Sequence, residues 1–223
     1  MKNNHEVANT CLLGFICPLS PELRTLALRG VVRSYPKKAV VINEGDAGES
    51  LFVLLKGSVR VFSGNNDGRE ITYGRIQSGD YFGEMSLDGG LRSASVITLE
   101  PCTCAVLSGT EVRAHLASEP EFAVNLLIRV IGRARAATEI ARSMALLDVY
   151  GRLIAMLEAH DGMTTLDTAA GVMLESVTHQ DIASRIGASR EMVSRLLKDL
   201  ERGGYIEMAT KRITLIKKLP NHW

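Results

Sequence analysis

No run of about 18 apolar residues occurs anywhere in the 223-residue chain, so no helix is expected to cross a membrane. The N-terminus lacks a basic segment followed by an apolar one, which leaves no visible secretory signal and makes the cytoplasm the expected compartment. Cysteine is sparse, with Cys11, Cys17, Cys102 and Cys104. Their spacing fits no CxxC pair, zinc site or CxxCH haem attachment, so they read as reduced, small hydrophobes. Catalytic signatures are missing as well. There is no phosphate-binding P-loop, no HD-type metal cluster and no nucleophile elbow, and His5, His115, His160, His179 and His222 are scattered. Neither an enzyme nor a metal site is expected.

What is present is a core-forming composition, 46% apolar and 23% charged, with a net charge of only +1. The charge is uneven. Residues 178–218 hold nine Lys/Arg and five Asp/Glu, a local +4 on an otherwise slightly acidic chain. A basic C-terminal segment suggests a localised anion-binding face.

Periodicity divides the chain. Residues 18–34 show helical spacing behind a Ser20-Pro21 start signal. Between Ala39 and Leu107, short runs such as VVI, LFVLL, SVRVF and ITYGRI alternate with turn-formers such as NEGDAGES and SGNNDG. Strands of that length and spacing predict an antiparallel barrel or sandwich. From Glu121 to Leu147 there is no proline, and Gly132 is the lone glycine. Ala123, Leu127, Val130, Ala134, Ala137, Ala141 and Met144 recur at alternating gaps of four and three, the seam of a coiled coil. Such a helix suits a dimer spine, the alternative being a helix laid on its own core. Residues 148–160 read as a further helix and DGMTTLDTAAG as a loop, placing the domain boundary near Leu147–Asp148.

The segment VTHQDIASRIGASREMVSRLLKDLERGGYI, residues 177–206, carries the most specific pattern. Thr178 with Asp181 three positions on is a capping-box-like start, Gly187 stops that helix, and Ser189 caps the next. The second helix buries Val193, Leu196, Leu197 and Leu200 and ends at Gly203-Gly204, which makes a helix-turn-helix. Its outer face presents Arg190, Glu191, Ser194 and Arg195. Arginine bonds bidentately to guanine, glutamate accepts from cytosine N4, and Lys198 suits phosphate. Tyr205–Lys217 reads as a β-hairpin wing with Lys211 near its turn. The alternative for these charges is ordinary ion pairing at helical spacing.

A second stretch, FGEMSLDGGLRSASV at 82–96, places Glu84 and Arg92 on either side of an Asp-Gly-Gly turn. It is either a surface hairpin with a charge pair or a ligand site. A planar guanidinium beside turn amides suits a phosphate, and a carboxylate suits a sugar hydroxyl.

Taken together, EGDAGESLFVLLKGSVRVF, FGEMSLDGGLRSASV, LLDVYGRL and the 177–206 segment resemble the CRP/FNR family of bacterial transcription regulators, from about Leu19 to Lys218. The resemblance implies an α+β chain. Its parts are an N-terminal antiparallel β-barrel or jelly roll of the cyclic-nucleotide-binding type, a long dimerisation helix at about 120–147, and a C-terminal winged helix-turn-helix. The effector domain would span 1–147 and the DNA-binding domain 148–223. Gly83, Glu84, Met85, Arg92, Ser93 and Ala94 match the family's phosphate-binding cassette, in which Glu84 would bond the ribose 2′-hydroxyl while Arg92 and Ser93 hold the cyclic phosphate. Thr138, on the long helix, aligns with one adenine-binding position. Thr178, Gln180, Ser189, Arg190, Glu191, Ser194, Arg195, Lys198 and Lys211 match DNA-contacting positions, and the Ser-Arg-Glu order implies a TGTGA-like inverted repeat. Cyclic AMP as effector, a homodimer on palindromic double-stranded DNA, and RNA polymerase as partner follow from the same resemblance, with no tightly bound cofactor. Two residue patterns depart from the family. Seven residues separate Glu84 from Arg92, one fewer than is common, and Ala137 stands where a serine or threonine partner of adenine is usual. A different nucleotide, an emptied pocket, or gating by iron–sulfur or haem therefore stay open, although Cys11 and Cys17 lack neighbouring thiols and Cys102 and Cys104 lie on a strand.

Overall fold

The computed structural model describes residues 19–65, 67–160, 163–168, 171–175 and 177–220. Cys11, Cys17, His5 and His222 lie outside the described residues. The chain forms two compact units, one ending at Ser63 and resuming over Gly74–Ala134, the other comprising Gly64–Tyr73 and everything from Arg135.

The first unit opens with α1 (Pro21–Ala27), where the Ser20 hydroxyl accepts from the Leu23 amide and Pro21 occupies the first helical position. The helix expected over 18–34 stops there. Val31–Tyr35 is a strand, β1, paired antiparallel with β8 (Cys102–Leu107). The reason is close packing at Gly30, where an added Cβ would come within 3.1 Å of the Val106 carbonyl oxygen, and the β-branched Val31-Val32 pair that follows.

The sandwich is completed by β2 (Val40–Ile42), β3 (Leu51–Lys56), β4 (Ser58–Gly64), β5 (Glu70–Gln77), β6 (Tyr81–Phe82) and β7 (Ser95–Thr98). One sheet runs β1-β8-β3-β6 and the other β2-β7-β4-β5. The apolar run on β3 is continuous because both of its faces are covered. Leu51, Val53 and Leu55 join a cluster with Leu23, Leu26, Val112 and Phe122, while Phe52 and Leu54 join Val59, Phe82 and Val96 between the sheets. Phe52 and Phe82 stack at 5.0 Å. Cys102 and Cys104 are buried in this second cluster, and burial pushes the Cys104 thiol up to about 12.

Two helices follow. In α2 (Gly109–Ser118) the Ser108 hydroxyl and the Glu111 carboxylate cap each other's backbone amides. The long α3 (Pro120–Leu146) turns Phe122 and Leu126 toward the core of the first unit. Of the predicted seam, Leu127, Ala134, Ala137 and Ala141 are exposed, but Ala123, Val130 and Met144 are half-buried. In the first half of α3 the large apolar residues left in the open are Val124, Leu127, Ile128 and Ile131, a stripe at helical spacing that shares Leu127 with the predicted seam and otherwise lies one position on from it; Leu146 is exposed at the far end.

The second unit contains α4 (Val149–Ala159), capped by Asp148. Its four-stranded antiparallel sheet runs β11-β12-β10-β9, with β9 at Thr164–Thr168, β10 at Gly171–Glu175, β11 at Ile206–Ala209 and β12 at Arg212–Leu215. The segment read as a loop thus holds β9 and the start of β10, with residues 161, 162, 169 and 170 outside the described set. Every residue of β9 is exposed, so no apolar alternation marks it; its pairing with β10 makes it a strand. Two helices, α5 (His179–Ile186) and α6 (Arg190–Arg202), pack on this sheet through Ile182, Ile186, Val193, Leu197 and Leu200.

Candidate functional site: a cassette and a basic helix face

The turn after β6 begins at Gly83, whose φ of 91° favours glycine. A Cβ there would meet the Ser50 carbonyl oxygen at 2.7 Å and Arg92 Nη1 at 3.0 Å. Glu84–Ser86 then forms one 3-10 turn. Its tightness brings Arg92 back underneath. Arg92 Nη1 donates to the Gly83 carbonyl at 2.8 Å and to the Ser86 hydroxyl at 2.7 Å, and Nη2 donates to the Ser50 carbonyl at 2.9 Å. The Arg92 backbone is held as well, its N–H on Asp46 and its carbonyl receiving Gly45 N–H. Burial lowers the Arg92 pKa, opposed by the Glu84 and Asp46 carboxylates, and the group stays a cation at neutral pH.

Glu84 is 6% exposed, and its carboxylate is ion-paired to Arg133 of α3. Neither carboxylate oxygen has a hydrogen bond of good geometry among the described residues, so the pair is a Coulombic contact with acceptor capacity to spare. Arg133 is itself fixed, donating from Nη2 to the Tyr81 carbonyl at 2.7 Å. A buried carboxylate and a buried guanidinium therefore share one turn, each braced from outside it. That arrangement offers an acceptor for a hydroxyl and a cation for a phosphate.

Gly83, Glu84 and Arg92 lie together in this turn, with Ser93 and Ala94 directly following in the chain. Met85 is 52% exposed. Thr138 lies on an exposed stretch of α3 in the second unit. Sequence reasoning missed Ser50, Ser86 and Arg133 as parts of the cassette. Ser86 lies within residues 82–96, but only the fold shows that the residue is 1% exposed and that its hydroxyl accepts from Arg92.

In the second unit, Thr178 caps α5 by accepting from the Asp181 amide at 3.1 Å, and its hydroxyl donates to the Asp181 carboxylate at 2.6 Å. Gly187 ends α5 with φ 63°, where a Cβ would lie 2.7 Å from the Met144 methyl. Ser189 caps α6. Val193, Leu197 and Leu200 are buried and Leu196 half-buried, leaving Arg190, Glu191, Arg195 and Lys198 exposed and Ser194 partly so. Those five residues with Asp199 and Arg202 line an open groove of about 520 Å³. The wing is a tight hairpin with Lys211 at φ 57° in its turn. A second recess of about 380 Å³ brings Thr178, Gln180, Arg190 and Lys211 together.

The cyclic nucleotide-binding domain family matches residues 32–119, and the Crp-like helix-turn-helix domain family matches residues 151–219. The chain belongs to the CRP/FNR family. It is 35% identical over 192 residues to the cAMP-activated global transcriptional regulator Vfr of Pseudomonas aeruginosa, covering 82% of this chain and 88% of that one. It is 32% identical over 185 residues to the cAMP-activated regulator CRP of Pasteurella multocida, with the same coverage. Among solved structures, the c-di-GMP-responsive global regulator CLP of Xanthomonas campestris matches at TM-score 0.77 and 25% identity, over 88% of this chain and 98% of that one. A CooA mutant of Carboxydothermus hydrogenoformans shares the fold at TM-score 0.74 and 22% identity, over 86% of each chain. This CRP/FNR-family chain is accordingly a DNA-binding transcription regulator with a cyclic nucleotide-binding domain, and its relatives are regulators, not enzymes.

Proposed function

We propose that the protein is a homodimeric regulator whose DNA affinity is gated by a cyclic nucleotide, with cyclic AMP as the ligand. The carrying observation is the buried Arg92 guanidinium, clamped by Gly83, Ser50 and Ser86 beside the Glu84 carboxylate. Arg92 and Ser93 hold the cyclic phosphate, Glu84 accepts from the ribose 2′-hydroxyl, and Gly83, Met85 and Ala94 shape the turn. Thr138 serves the base. Residues 1–147 act as effector domain and 148–223 as DNA-binding domain. The exposed stripe Val124, Leu127, Ile128 and Ile131 supports pairing of two long helices over 120–147. Arg190, Glu191 and Arg195 read a TGTGA-like half-site, with Thr178, Gln180, Ser189, Ser194, Lys198 and Lys211 on the backbone and neighbouring edges. In a dimer, two such helices sit about 34 Å apart in successive major grooves. RNA polymerase is the partner on DNA, in the cytoplasm.

A ligand shifts the DNA domains only by binding their two arrangements unequally. Duplex binding to a TGTGA palindrome, followed by fluorescence anisotropy with and without cyclic AMP, tests this. Tightening by cyclic AMP is the expected result; equal affinity in its presence and absence would defeat it. A second reading is favoured by Ala137 and by the shortened Glu84–Arg92 turn, namely another cyclic nucleotide at the same cassette. Cyclic di-GMP belongs in the same assay because the similar CLP responds to it.

A further inference from the structure

His179 opens α5, one residue past the Thr178 cap. Its Nδ1 lies 2.8 Å from the Ser194 hydroxyl on α6, and its side chain lines the 380 Å³ recess with Thr178, Gln180, Arg190, Lys211 and Arg212. Every element around it contributes charge. From α6 come Arg190 and Lys198; from the wing come Lys211 and Arg212, the latter paired through Nε with Glu175 at 3.3 Å. On α5 itself Asp181 is committed to the Thr178 hydroxyl. Cations therefore outnumber anions around an imidazole that is only partly exposed. Burial, then Arg190 and Lys198, hold that imidazole below its usual 6.5, so it is neutral at neutral pH.

We propose that His179 is a proton-linked phosphate contact: the recess takes a backbone phosphate of duplex DNA, and binding it protonates His179, so that DNA affinity rises as the pH falls. The idea rests on α6 and the wing being the DNA face and deepens that reading. A neutral imidazole has one N–H, whereas the cation has two. One N–H of the cation donates to the Ser194 oxygen and the other to a phosphate oxygen. A phosphate beside Arg190 also offsets the cationic repulsion that adds to burial in keeping the ring neutral in the free protein. The bound state therefore holds the proton more tightly than the free state. Between the two pKa values binding takes up protons, and below the free value the gain levels off.

The full-length protein is titrated into a random-sequence duplex at low salt, between about pH 6 and about pH 8.5, because phosphate contacts need no specific operator. Wild type should gain up to about tenfold in affinity per pH unit for each linked proton. His179→Gln should match wild type at the alkaline end and lose this excess slope. His179→Arg should bind tightly throughout, with a slope no steeper than that of His179→Gln. The same slope in wild type and His179→Gln would overturn the proposal and leave the Ser194 contact as a structural tie. As a check independent of folding in the variants, the His179 ring in wild type is titrated by NMR with and without duplex. A raised pKa in the complex is expected, and an unchanged one overturns the proposal. If no duplex bound at any pH, the failure would lie in the DNA face itself, and the proposal would fall with it.

Discussion

The carboxylate of Glu84 and the guanidinium of Arg133 form an ion pair although Arg133 comes 49 positions later in the chain and from a different element. The Glu84 side chain is 2% exposed and that of Arg133 31%. Removing one partner of a buried pair strands the other charge, whereas neutralising both does not. Arg133→Ala should destabilise the protein by roughly 2–4 kcal/mol, nearer the lower figure because Arg133 touches solvent. Glu84→Gln combined with Arg133→Ala should recover part of that loss. Urea denaturation of the single and double variants measures both; additive losses would show that the pair is not coupled.

Arg92 is the point at which the cassette can be emptied. Arg92→Leu removes the cation proposed to hold the phosphate and also takes one donor each from the Gly83 carbonyl, which keeps the Ser86 hydroxyl, from the Ser50 carbonyl and from the Ser86 hydroxyl. It should abolish calorimetric binding of cyclic nucleotide, with a stability cost of about 1–3 kcal/mol that leaves the fold formed. Ser86→Ala should weaken binding by a smaller factor, since it frees Arg92 from one restraint only. Undiminished nucleotide binding in Arg92→Leu would remove this cassette from the function.

The turn carrying Glu84 and Arg92, the Gly187 break and the Ser189 cap were legible because each depends on residues a few positions apart. Capping, positive φ and turn chemistry are local. The same holds for β3 and β4, whose β-branched runs announce themselves. What could not be read was set by contacts distant in sequence. Ser50 and Arg133 reach the cassette only once β3 and α3 are in place. β9 has no buried residue to give it a period, and β1 continues a helical pattern that the close approach of Gly30 to β8 and the Val31-Val32 pair bring to an end. Near the start of α3 the large exposed apolar residues lie one position on from the predicted seam because Phe122 and Leu126, turned to the core, set the rotation of the helix there.

On the DNA side, Arg195 and Lys211 should separate by the kind of contact they make. Arg195 lies on the exposed face of α6 and Lys211 in the wing turn. Arg195→Ala should lower affinity for a TGTGA palindrome by about tenfold to a hundredfold and relax preference at one base pair. Lys211→Ala should weaken all duplexes alike and reduce the salt slope by about one. Anisotropy across salt and across single-base variants of the site tells the two apart. The reverse pattern would place the base-reading surface on the wing.

The helix-turn-helix depends on its small core, and Leu197 is fully buried within it. Leu197→Ala should cost about 2–5 kcal/mol through lost transfer energy and the cavity left behind. Because the chain has two units, the loss should appear in the unfolding of the second while the first keeps its own transition. Hydrogen exchange read along the chain resolves this. Uniform loss of protection in both units would mean that they unfold together.

His115, on α2, is fully buried against the Phe122 ring at a centroid distance of 4.9 Å. Its ring nitrogens have no hydrogen bond of good geometry among the described residues. Burial, then the Arg29 cation, lower its pKa from the usual 6.5, and the opposing pull of the Glu22 backbone and Glu119 is weaker. The unfolded chain takes a proton at His115 near pH 6.5, while the folded chain takes it only at lower pH. Below pH 6.5 the unfolded state therefore binds more protons, and stability must fall as the pH falls through that range. The urea midpoint of the first unit should drop between about pH 7.5 and about pH 5.5, and His115→Phe, which keeps an aromatic ring against Phe122, should flatten that dependence. An equally steep drop in His115→Phe would assign the acid sensitivity to other groups.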